Sequence, residues 1–565
     1  MSIIGTIYED VTTDVLGHIG SWQWLITFIS TSLLLPSLFN QYEDTFLLHP
    51  SSSISCCIPD HYNVANSTLC TFTLSGNNTE VLKCTRWHIK LLWFIWIKKS
   101  WIILCEQQMK LLSITIVCRI GLLFGYVIFG LISDCFGRRK TIMISIIAEL
   151  GFRLIIVFCD SDNWFRLLIF LKSLFGSAIF YMTLVLICEI ASNTWRSQLL
   201  AIVSSPRILA TACSVSLANS GANLETFDFI TFAFEASLLL LLRWTPESPQ
   251  WLLYNRKISQ AEELLFKAAK TNRIELCSNF KIRPVNRRAY NCLDKVWTCV
   301  EILTTYNIRV VVTASILFWN LFYFLWSCLY LRVITAGHQF LLFKVLGFLI
   351  FFGSLAICLS KKLRLKQLLI ISIILMGTFN AVSIIINYLE YNDAIRSIIA
   401  SLATTSGLIG HALILNITPR LFAINVRATL LGCCHAVGQL GTIISYLIFV
   451  FRVADDRSLM IVEIALTFAL SAACYVIPDI DGRELPDVME DMDYFSELSK
   501  PLRWTTQKTN SPSKEEVQMR VYSFGSAVQN LSTRSHSEDR LPARRIGLIK
   551  IFHYLQLFID NFRRK

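Results

Sequence analysis

Long apolar runs separated by short charged segments recur along almost the whole chain. Twelve of them reach the length of about 20 residues that a helix needs to cross a bilayer. They cover approximately residues 21–40, 112–132, 140–159, 164–188, 197–219, 227–244, 308–330, 339–358, 367–387, 395–416, 429–451 and 459–477. Each is longer than the roughly ten residues of a transmembrane barrel strand. The pattern therefore predicts an all-α membrane protein with twelve transmembrane helices.

Two further segments affect the count of spans. Residues 87–104 are also apolar, but they contain Lys90, Lys98 and Lys99. Counting them as a span would reverse the side of every later loop, so we expect them to be extracellular or interfacial. The first run follows an acidic segment, not a basic one. We therefore expect a membrane helix there and not a cleaved signal peptide.

The composition supports a membrane protein. Of the 565 residues, 54% are hydrophobic and 16% are charged, compared with roughly 25% charged residues in soluble proteins. These values exclude a disordered chain and argue against a soluble enzyme. The net charge of +12 comes from basic loops, so we attribute it to membrane orientation and expect no nucleic-acid partner.

Basic residues collect in alternate loops, and this predicts the orientation. The turn after the second run, the connection after the sixth and the end of the chain are all basic and would lie on one side of a twelve-span arrangement. By the positive-inside rule that side is cytoplasmic, with both termini inside. The predicted regions are a cytoplasmic N-terminus (1–20), a six-helix bundle (21–244), a helical cytoplasmic linker (245–307), a second six-helix bundle (308–477) and a basic cytoplasmic tail (478–565).

The loop at 41–110 lies on the opposite side in this arrangement. It carries N-x-S/T sequons at Asn66 and Asn77, together with five cysteines. Sequons and clustered cysteines are typical of an oxidising exterior. We therefore expect this loop to be extracellular and glycosylated, in a plasma-membrane protein. Within the tail, the apolar and basic residues of 546–562 predict a helix that lies at the membrane surface.

The two predicted bundles repeat a charge pattern. Glu189 precedes Arg196 by seven positions after the fourth run, and Arg420 precedes Arg427 by seven after the tenth. Two related six-helix halves are the sequence sign of a transporter that rocks around a site at the bilayer midplane. We find no metal-ligand spacing, phosphate-binding loop or nucleophile motif, so we predict no enzymatic activity, metal or cofactor.

Four motifs carry a family resemblance. Residues 130–139, Gly-Leu-Ile-Ser-Asp-Cys-Phe-Gly-Arg-Arg, resemble the G-x-x-x-D-R-x-G-R-R signature of the major facilitator superfamily, with Cys135 in place of an arginine. Residues 246–252 resemble P-E-S-P-R-W-L of organic ion transporters and sugar porters, with Gln250 in place of arginine. Residues 477–491 resemble the L-P-E-T…L-P-D-T-x-E-D ending of the organic cation, anion and carnitine transporter family.

Residues 101–105, Trp-Ile-Ile-Leu-Cys, are similar to the W-D-L-V-C that closes the first loop in the organic ion family, a loop that sugar porters lack. The resemblance covers about residues 10–495. It implies the major facilitator fold and alternating-access transport of a small organic ion or zwitterion by a monomer in the bilayer. The alternatives are a sugar porter-like carrier and a relative that no longer transports and acts as a receptor or scaffold.

The resemblance also implies a cytoplasmic gate. Its predicted residues are Gly130, Asp134, Gly137, Arg138, Arg139, Glu189, Arg196, Arg420, Arg427 and Glu247. We expect Glu189 to pair with Arg196 or with Arg138 and Arg139. The family has an acidic residue where Arg420 stands, so the second half is expected to lack an acidic partner within its motif. Arg420→Glu would then raise transport, unless Glu490 or Asp491 compensates.

Five residues are predicted to contact the substrate: Gln439, His435, Lys344, Arg207 and Lys172. Gln439 stands twelve residues after Arg427, where cation transporters of the family tend to carry aspartate and many anion or carnitine transporters arginine. His435 lies one turn earlier on the same helix face. The alternative is that both are polar contacts between helices. Lys344 and Arg207 could contact an anionic group or extend to an interface. Lys172 and the glycine four residues later resemble the family's R-x-x-x-G.

Overall fold

The protein is described here from a computed structural model. It describes residues 19–41, 108–159, 161–207, 224–275, 306–335, 364–389, 393–451 and 456–481, five short strands between residues 54 and 89, and several isolated positions. The eighth predicted span at 339–358, most of the segment 87–104 and the predicted tail helix at 546–562 lie outside these residues.

The described part of the chain is dominated by helices. Their bounds are α1 Ser21–Gln41, α2 Gln108–Phe136, α3 Arg138–Val157, α4 Asp162–Ile190, α5 Arg196–Ser204, α6 Leu224–Leu238, α7 Pro249–Tyr254, α8 Ile258–Thr271, α9 Tyr306–Thr335, α10 Leu365–Tyr388, α11 Asp393–Leu421, α12 Arg427–Phe451 and α13 Asp456–Ala473. Short 3₁₀ turns, Leu239–Trp244 and Cys474–Val476, extend α6 and α13.

Eight helices of the described part are long and apolar enough to cross a membrane: α1, α2, α4 and α9–α13. Two more predicted spans are helical but depart from that pattern, since α3 carries five charged residues and α6 has only 15 residues. The fifth predicted span begins as α5. The all-α membrane architecture predicted from the apolar runs is confirmed.

The first loop contains short strands, which the sequence pattern did not predict. Strands β1 (Ile54–Cys56) and β5 (Trp87–Ile89) pair antiparallel. Strands β2 (Val64–Ser67), β3 (Thr71–Leu74) and β4 (Val81–Lys83) form a second antiparallel sheet. Three-residue and four-residue strands are too short to show a clear alternation of apolar and polar residues, which explains why they escaped prediction.

The two halves of the chain pack closely where α2 meets α12. A Cβ atom on Gly130 would lie 2.9 Å from the carbonyl oxygen of Ala428, and one on Gly432 would lie 2.3 Å from that of Tyr126. Both distances are too short for a side chain. Small residues let membrane helices approach in this way, so α2 and α12 form a close contact between the halves.

Two buried ion clusters lie within the halves and away from this contact. Arg153 of α3 lies 3.9 Å from Glu149 and 3.7 Å from Glu235 of α6. In the second half Arg332 pairs with Glu463, and the Asn380 amide donates to the same carboxylate. A charge inside a bilayer is expensive unless it is paired, and these clusters tie α3 to α6 and α9 to α13.

Candidate functional site

Asp134, near the end of α2, binds the first turn of α12 in the other half. One carboxylate oxygen accepts hydrogen bonds from the Thr429 backbone N–H at 2.8 Å and from its hydroxyl at 2.7 Å. The other accepts from the Ala428 N–H at 3.4 Å. The first N–H groups of a helix lack intrahelical partners and carry a partial positive charge. The aspartate therefore caps a helix that belongs to the opposite half.

Arg138 begins α3 and is fully buried. It donates to both Glu189 oxygens, at 3.1 and 2.8 Å, and forms an ion pair with Asp134 at 2.9 Å. It also donates to the carbonyl of Ile424 in the second half at 3.2 Å. A bidentate arginine–carboxylate pair of this kind fixes geometry as well as charge.

Glu189 has a second arginine partner that comes from the other half. Arg427, the first residue of α12, donates to it at 3.1 Å. The Glu189 carboxylate thus lies between one guanidinium group from each half, and all three side chains are fully buried. Together with Asp134, these residues form what we call the interdomain lock: Asp134, Arg138, Glu189 and Arg427.

Glu189 pairs with Arg138, as expected from the sequence. Its second partner, Arg427, was not predicted. Arg196 donates instead to the backbone carbonyls of Cys188 at 3.0 Å and Ala191 at 2.9 Å. Arg427 makes the corresponding bond in the second half, to the carbonyl of Phe422 at 3.0 Å. The repeated arginine therefore closes the same helix–helix turn in both halves, and Arg427 also reaches across to Glu189.

Glu247 braces the lock from the segment after α6. One of its oxygens accepts from the N–H groups of Arg138 at 2.7 Å, Arg139 at 3.3 Å and Ser248 at 3.1 Å. Burial raises the pKa of the Glu247 carboxyl, and these N–H groups partly offset that effect. Gly137 separates α2 from α3 with φ of 112°, and a Cβ there would lie 2.4 Å from the Glu247 carboxylate. Glycine alone suits this turn.

Arg420 has an acidic neighbour that comes from outside its own motif. Arg420 donates to the Ser197 hydroxyl at 2.8 Å and to the Ile480 carbonyl at 3.0 Å, and it lies 3.9 Å from Asp481. Asp481 also accepts from the Leu365 N–H at 2.7 Å. The carboxylate therefore comes from the segment after α13, outside the repeated motif. Glu490 and Asp491, the predicted compensating residues, lie outside the described residues.

His435 lies at the centre of a ring of aromatic side chains between the halves. Its ring centroid is 4.2 Å from that of Trp319, 5.0 Å from Tyr126, 5.2 Å from Phe180 and 5.8 Å from Tyr181. The imidazole is fully buried, and neither ring nitrogen has a hydrogen-bond partner. We call this group the central chamber.

The chamber continues along facing stripes of α9 and α12. His435, Gln439, Thr442 and Tyr446 follow one another at helical spacing on α12. On α9, Tyr323 follows Trp319 and bonds to His411 of α11 through its hydroxyl at 2.9 Å. Gln439 is 1% exposed, and its amide oxygen has no partner. Buried polar atoms are normally paired, so these atoms are candidates for hydrogen bonds with a bound molecule.

A small cavity lies further along the same stripes, towards the end opposite the lock. Its lining residues are Gln41, Arg119, Arg207, Tyr323, Trp326, Ser327, Tyr330, Thr442 and Tyr446. Arg207 joins the cavity to the chamber, because its guanidinium lies 5.4 Å from the ring centre of Trp326 and 5.2 Å from that of Phe180. Arg207 and Arg119 both donate to Gln41 at 3.5 Å.

Three of the five predicted substrate residues, His435, Gln439 and Arg207, lie in or beside the chamber. Lys172 is buried on α4 one turn before Gly176, which packs against Glu149, and it does not line the cavity. Lys344 lies outside the described residues. The ring of aromatics, His411 and the place of Arg119 in the lining were not predicted from the sequence. No sequence signal distinguishes the aromatic residues of the chamber from the others, since the chain holds 38 Phe, 14 Trp and 17 Tyr residues, 69 in all.

An α-helical, multi-pass membrane protein whose halves enclose a buried chamber has the architecture of a carrier. Residues 107–446 match the sequence profile of the Major Facilitator Superfamily, which is more than half of the chain. The protein therefore belongs to the Major Facilitator Superfamily.

Similar proteins carry names from the solute carrier 22 group. The chain is 24% identical to mouse solute carrier family 22 member 4, over 56% of this chain and 63% of the relative. It is 24% identical to mouse solute carrier family 22 member 21, over 90% of this chain and 97% of the relative. It is 23% identical to human organic cation/carnitine transporter 2, over 55% and 62%. The match thus spans less than two thirds of the first and third of these relatives.

Solved structures show the same fold. The proton:xylose symporter XylE bound to a bromodeoxyglucose aligns with a TM-score of 0.55 at 15% identity, over 84% of this chain and 99% of the symporter. A partially occluded inward-open form of XylE from E. coli aligns with a TM-score of 0.52, also at 15% identity, over 82% and 100%. At this identity the likeness concerns the architecture alone.

Proposed function

We propose that the protein carries a small organic ion or zwitterion across the plasma membrane by alternating access between its two halves. One observation carries this proposal: the same pair of helices, α2 and α12, contributes both to the lock and to the central chamber. Asp134 of α2 binds Thr429 of α12 at 2.8 Å, and Tyr126 of α2 stacks on His435 of α12 at 5.0 Å. Any movement of one helix against the other changes both places at once.

The lock holds one end of the interface closed. Opening that end requires Arg427 to leave Glu189 and the first turn of α12 to leave Asp134. Conformations of such a protein differ by only a few kcal/mol, so charged contacts at this position can set which end is open. We propose that this end is cytoplasmic, since it carries the basic turn at 138–140 and such turns remain inside.

The names of the relatives support an organic ion as substrate. The human and mouse proteins called organic cation/carnitine transporter 2 are 23% and 24% identical to this chain. The chain also has a long first loop with two sequons, and sugar porters lack such a loop. The likeness to XylE does not favour a sugar, because it rests on the fold alone.

Uptake of a panel of labelled organic cations, anions, zwitterions and sugars into oocytes tests the proposal. We expect saturable uptake of at least one organic ion and none of the sugars. The full-length chain is compared with uninjected oocytes, and surface biotinylation confirms delivery to the membrane. Normal surface expression without uptake of any compound would favour a receptor or scaffold instead.

Glycosylation of the first loop tests the proposed topology. We expect Asn66 and Asn77 to carry glycans, so that the variant Asn66→Gln/Asn77→Gln migrates faster on a gel and no longer responds to glycosidase. Asn530 in the tail is a matched control sequon on the side proposed to be cytoplasmic, and Asn530→Gln should leave mobility unchanged. Unchanged mobility of the double variant at positions 66 and 77 would contradict an extracellular loop.

Gly130→Val tests the close contact between α2 and α12. A Cβ at this position would lie 2.9 Å from the Ala428 carbonyl, so valine should separate the helices beside the lock. We expect at least a tenfold fall in uptake while most of the protein reaches the surface. Gly151, whose added Cβ would meet nothing within 4 Å, provides the control: Gly151→Val should transport normally. Equal uptake by the two variants would show that this contact is not needed.

A further inference from the structure

We propose that Ser259, in the first turn of the linker helix α8, is a phosphorylation site for a protein kinase that recognises basic residues before the acceptor. The phosphate draws Lys257 away from Trp251 and thereby loosens the interdomain lock. The inference goes beyond the proposed transport function, and it rests on the proposed cytoplasmic side of the lock.

The sequence alone offers two acceptors of this kind. Such kinases read the charge pattern of their substrates, and they select a serine or threonine with basic residues three and two positions before it. That pattern occurs twice in the chain, at residues 138–141 and at residues 256–259. The acceptors are Thr141 and Ser259, and the structure distinguishes between them.

Thr141 is not accessible to an enzyme. Its side chain is fully buried in α3, and its hydroxyl donates to the carbonyl of Gly137 at 2.7 Å. The arginine three positions before it, Arg138, is itself fully buried in the lock. A kinase needs both the hydroxyl and the basic side chains in its cleft, so it cannot use this pattern in the folded protein.

The recognition residues of Ser259 lie at the surface. Ser259 and Arg256 are exposed, and Lys257 is half-buried. The two basic residues lie in the turn that separates α7 from α8. Ser259 is the second residue of α8, where the N–H groups have no intrahelical partner and a helix opens most easily. The serine can therefore reach a kinase at the cost of one helical turn.

Phosphorylation changes the charge at this turn. The Ser259 hydroxyl oxygen forms a bond to the γ-phosphorus of ATP, and the bond from that phosphorus to the β,γ-bridging oxygen breaks. ADP leaves, and the hydroxyl proton passes to the catalytic base of the kinase. The product carries a charge of about −1.5 to −2 at pH 7. The first turn of α8, residues 258–261, contains no acidic residue, and the positive end of the helix dipole stabilises a phosphate there.

The neighbouring charges direct the phosphate towards Lys257. Glu262 and Glu263 follow Ser259 by three and four positions, so they lie beside it on the next turn of the helix. They repel a phosphate, whereas Arg256 and Lys257 attract it from the preceding turn. The phosphate is therefore expected to form an ion pair with the Lys257 ammonium.

Lys257 is connected to the lock through Trp251 of α7. Its ammonium lies 4.5 Å from the centre of the Trp251 ring. The Trp251 indole N–H donates to the Asp134 backbone carbonyl at 3.0 Å, and a Cβ on Gly137 would lie 3.2 Å from the same ring. A lysine over the face of a tryptophan stabilises the arrangement of both. Moving Lys257 to a phosphate thus removes a support from the ring that holds the end of α2.

Direct phosphorylation tests the site. The purified full-length protein, in detergent so that both faces are accessible, is treated with the catalytic subunit of cyclic-AMP-dependent protein kinase and ATP. Mass spectrometry then identifies the modified residues. We expect phosphate at Ser259 and none at Thr141. Arg256→Gln should reduce the modification of Ser259 about tenfold, the loss expected for one hydrogen bond to a charged group, and Arg256→Lys should retain most of it.

The effect on the lock is measured with two variants of similar size. Ser259→Glu adds a negative charge, and Ser259→Gln does not. Asn425→Cys, at a buried position two residues before Arg427, reports opening of the lock through its reaction with a thiol reagent. This reaction should be about threefold faster with Ser259→Glu than with Ser259→Gln, the factor expected for the loss of one cation–π contact. Lys257→Gln should abolish the difference, because the lysine is then already absent from the ring.

The outcomes separate this inference from the proposed function. No phosphate at Ser259, or equal modification of Thr141, would overturn the site. Equal reaction of Asn425→Cys in the two Ser259 variants would overturn the connection through Lys257. Neither result concerns transport, since neither experiment measures uptake. Phosphorylation of Ser259 in detergent but not in oocytes with the kinase activated would overturn the cytoplasmic placement on which the inference rests.

Discussion

Replacing Glu189 by glutamine is expected to reduce transport at least tenfold. The substitution preserves shape but removes the charge that faces Arg138 at 2.8 Å and Arg427 at 3.1 Å. Removing one partner from a buried ion pair costs about 3–5 kcal/mol, whereas about 1.4 kcal/mol changes a population tenfold. Because Arg427 belongs to the other half, the loss falls mainly on the state in which the lock is closed.

The measurement combines uptake with chemical access to the locked end. A cysteine introduced at Asn425, which is buried beside the lock, should react faster with a thiol reagent in the Glu189→Gln background than in the unaltered protein. Glu263→Gln is the control, because Glu263 pairs with Lys267 on an exposed surface, where such pairs contribute little. Equal uptake by Glu189→Gln and Glu263→Gln would show that the lock does not control transport.

The fold could be predicted because its signals are local. Apolar runs of about 20 residues define membrane helices without knowledge of their neighbours, and the glycine–aspartate–arginine motif at 130–139 places the first half of the lock. Eight of the twelve predicted spans appear as long apolar helices in the described residues. The short strands of the first loop escaped because their pairing depends on residues far apart, such as Ile54 and Ile89.

The site was harder to predict because its partners are distant in sequence. His435 is visible as a polar residue in an apolar helix, but its ring of aromatics comes from α2, α4 and α9. Glu189 and Arg427 are 238 positions apart. The expected partners of Glu189 were arginines of its own half, Arg196 or Arg138 and Arg139. Arg138 does pair with Glu189, but Arg427 pairs with it from the other half.

Arg420 illustrates the same limit. For the variant Arg420→Glu, the sequence and the structure predict opposite effects on transport. The family pattern alone predicts that Arg420→Glu restores a missing acidic residue and raises transport. In the structure, Arg420 donates to Ser197 of α5 and to the Ile480 carbonyl, and Asp481 lies 3.9 Å away. Glutamate cannot donate to the carbonyl, and it would place a second negative charge beside Asp481.

We therefore expect Arg420→Glu to lower transport about tenfold at normal surface expression. Burial already raises the pKa of the Asp481 carboxyl, and the Leu365 N–H and Arg420 act against that shift. Losing Arg420 should raise this pKa further, so uptake by the variant should recover partly at acidic pH as Asp481 becomes neutral. Asp481→Asn in the Arg420→Glu background should give a similar partial recovery at neutral pH.

Arg420→Lys is the conservative comparison for this position. It keeps the positive charge near Asp481 but has a single nitrogen in place of the planar fork that reaches both Ser197 and the Ile480 carbonyl. It should retain more transport than Arg420→Glu and less than the unaltered protein. Higher uptake by Arg420→Glu than by the unaltered protein would mean that the acidic residue of the family pattern is missing after all, and that the contacts with Ser197 and Ile480 do not hold the closed state. Asp481, the acidic neighbour of Arg420, comes from the segment after α13. The contacts of Arg420 therefore join three parts of the chain: α5 through Ser197, α11 through Arg420 itself, and residues 480–481.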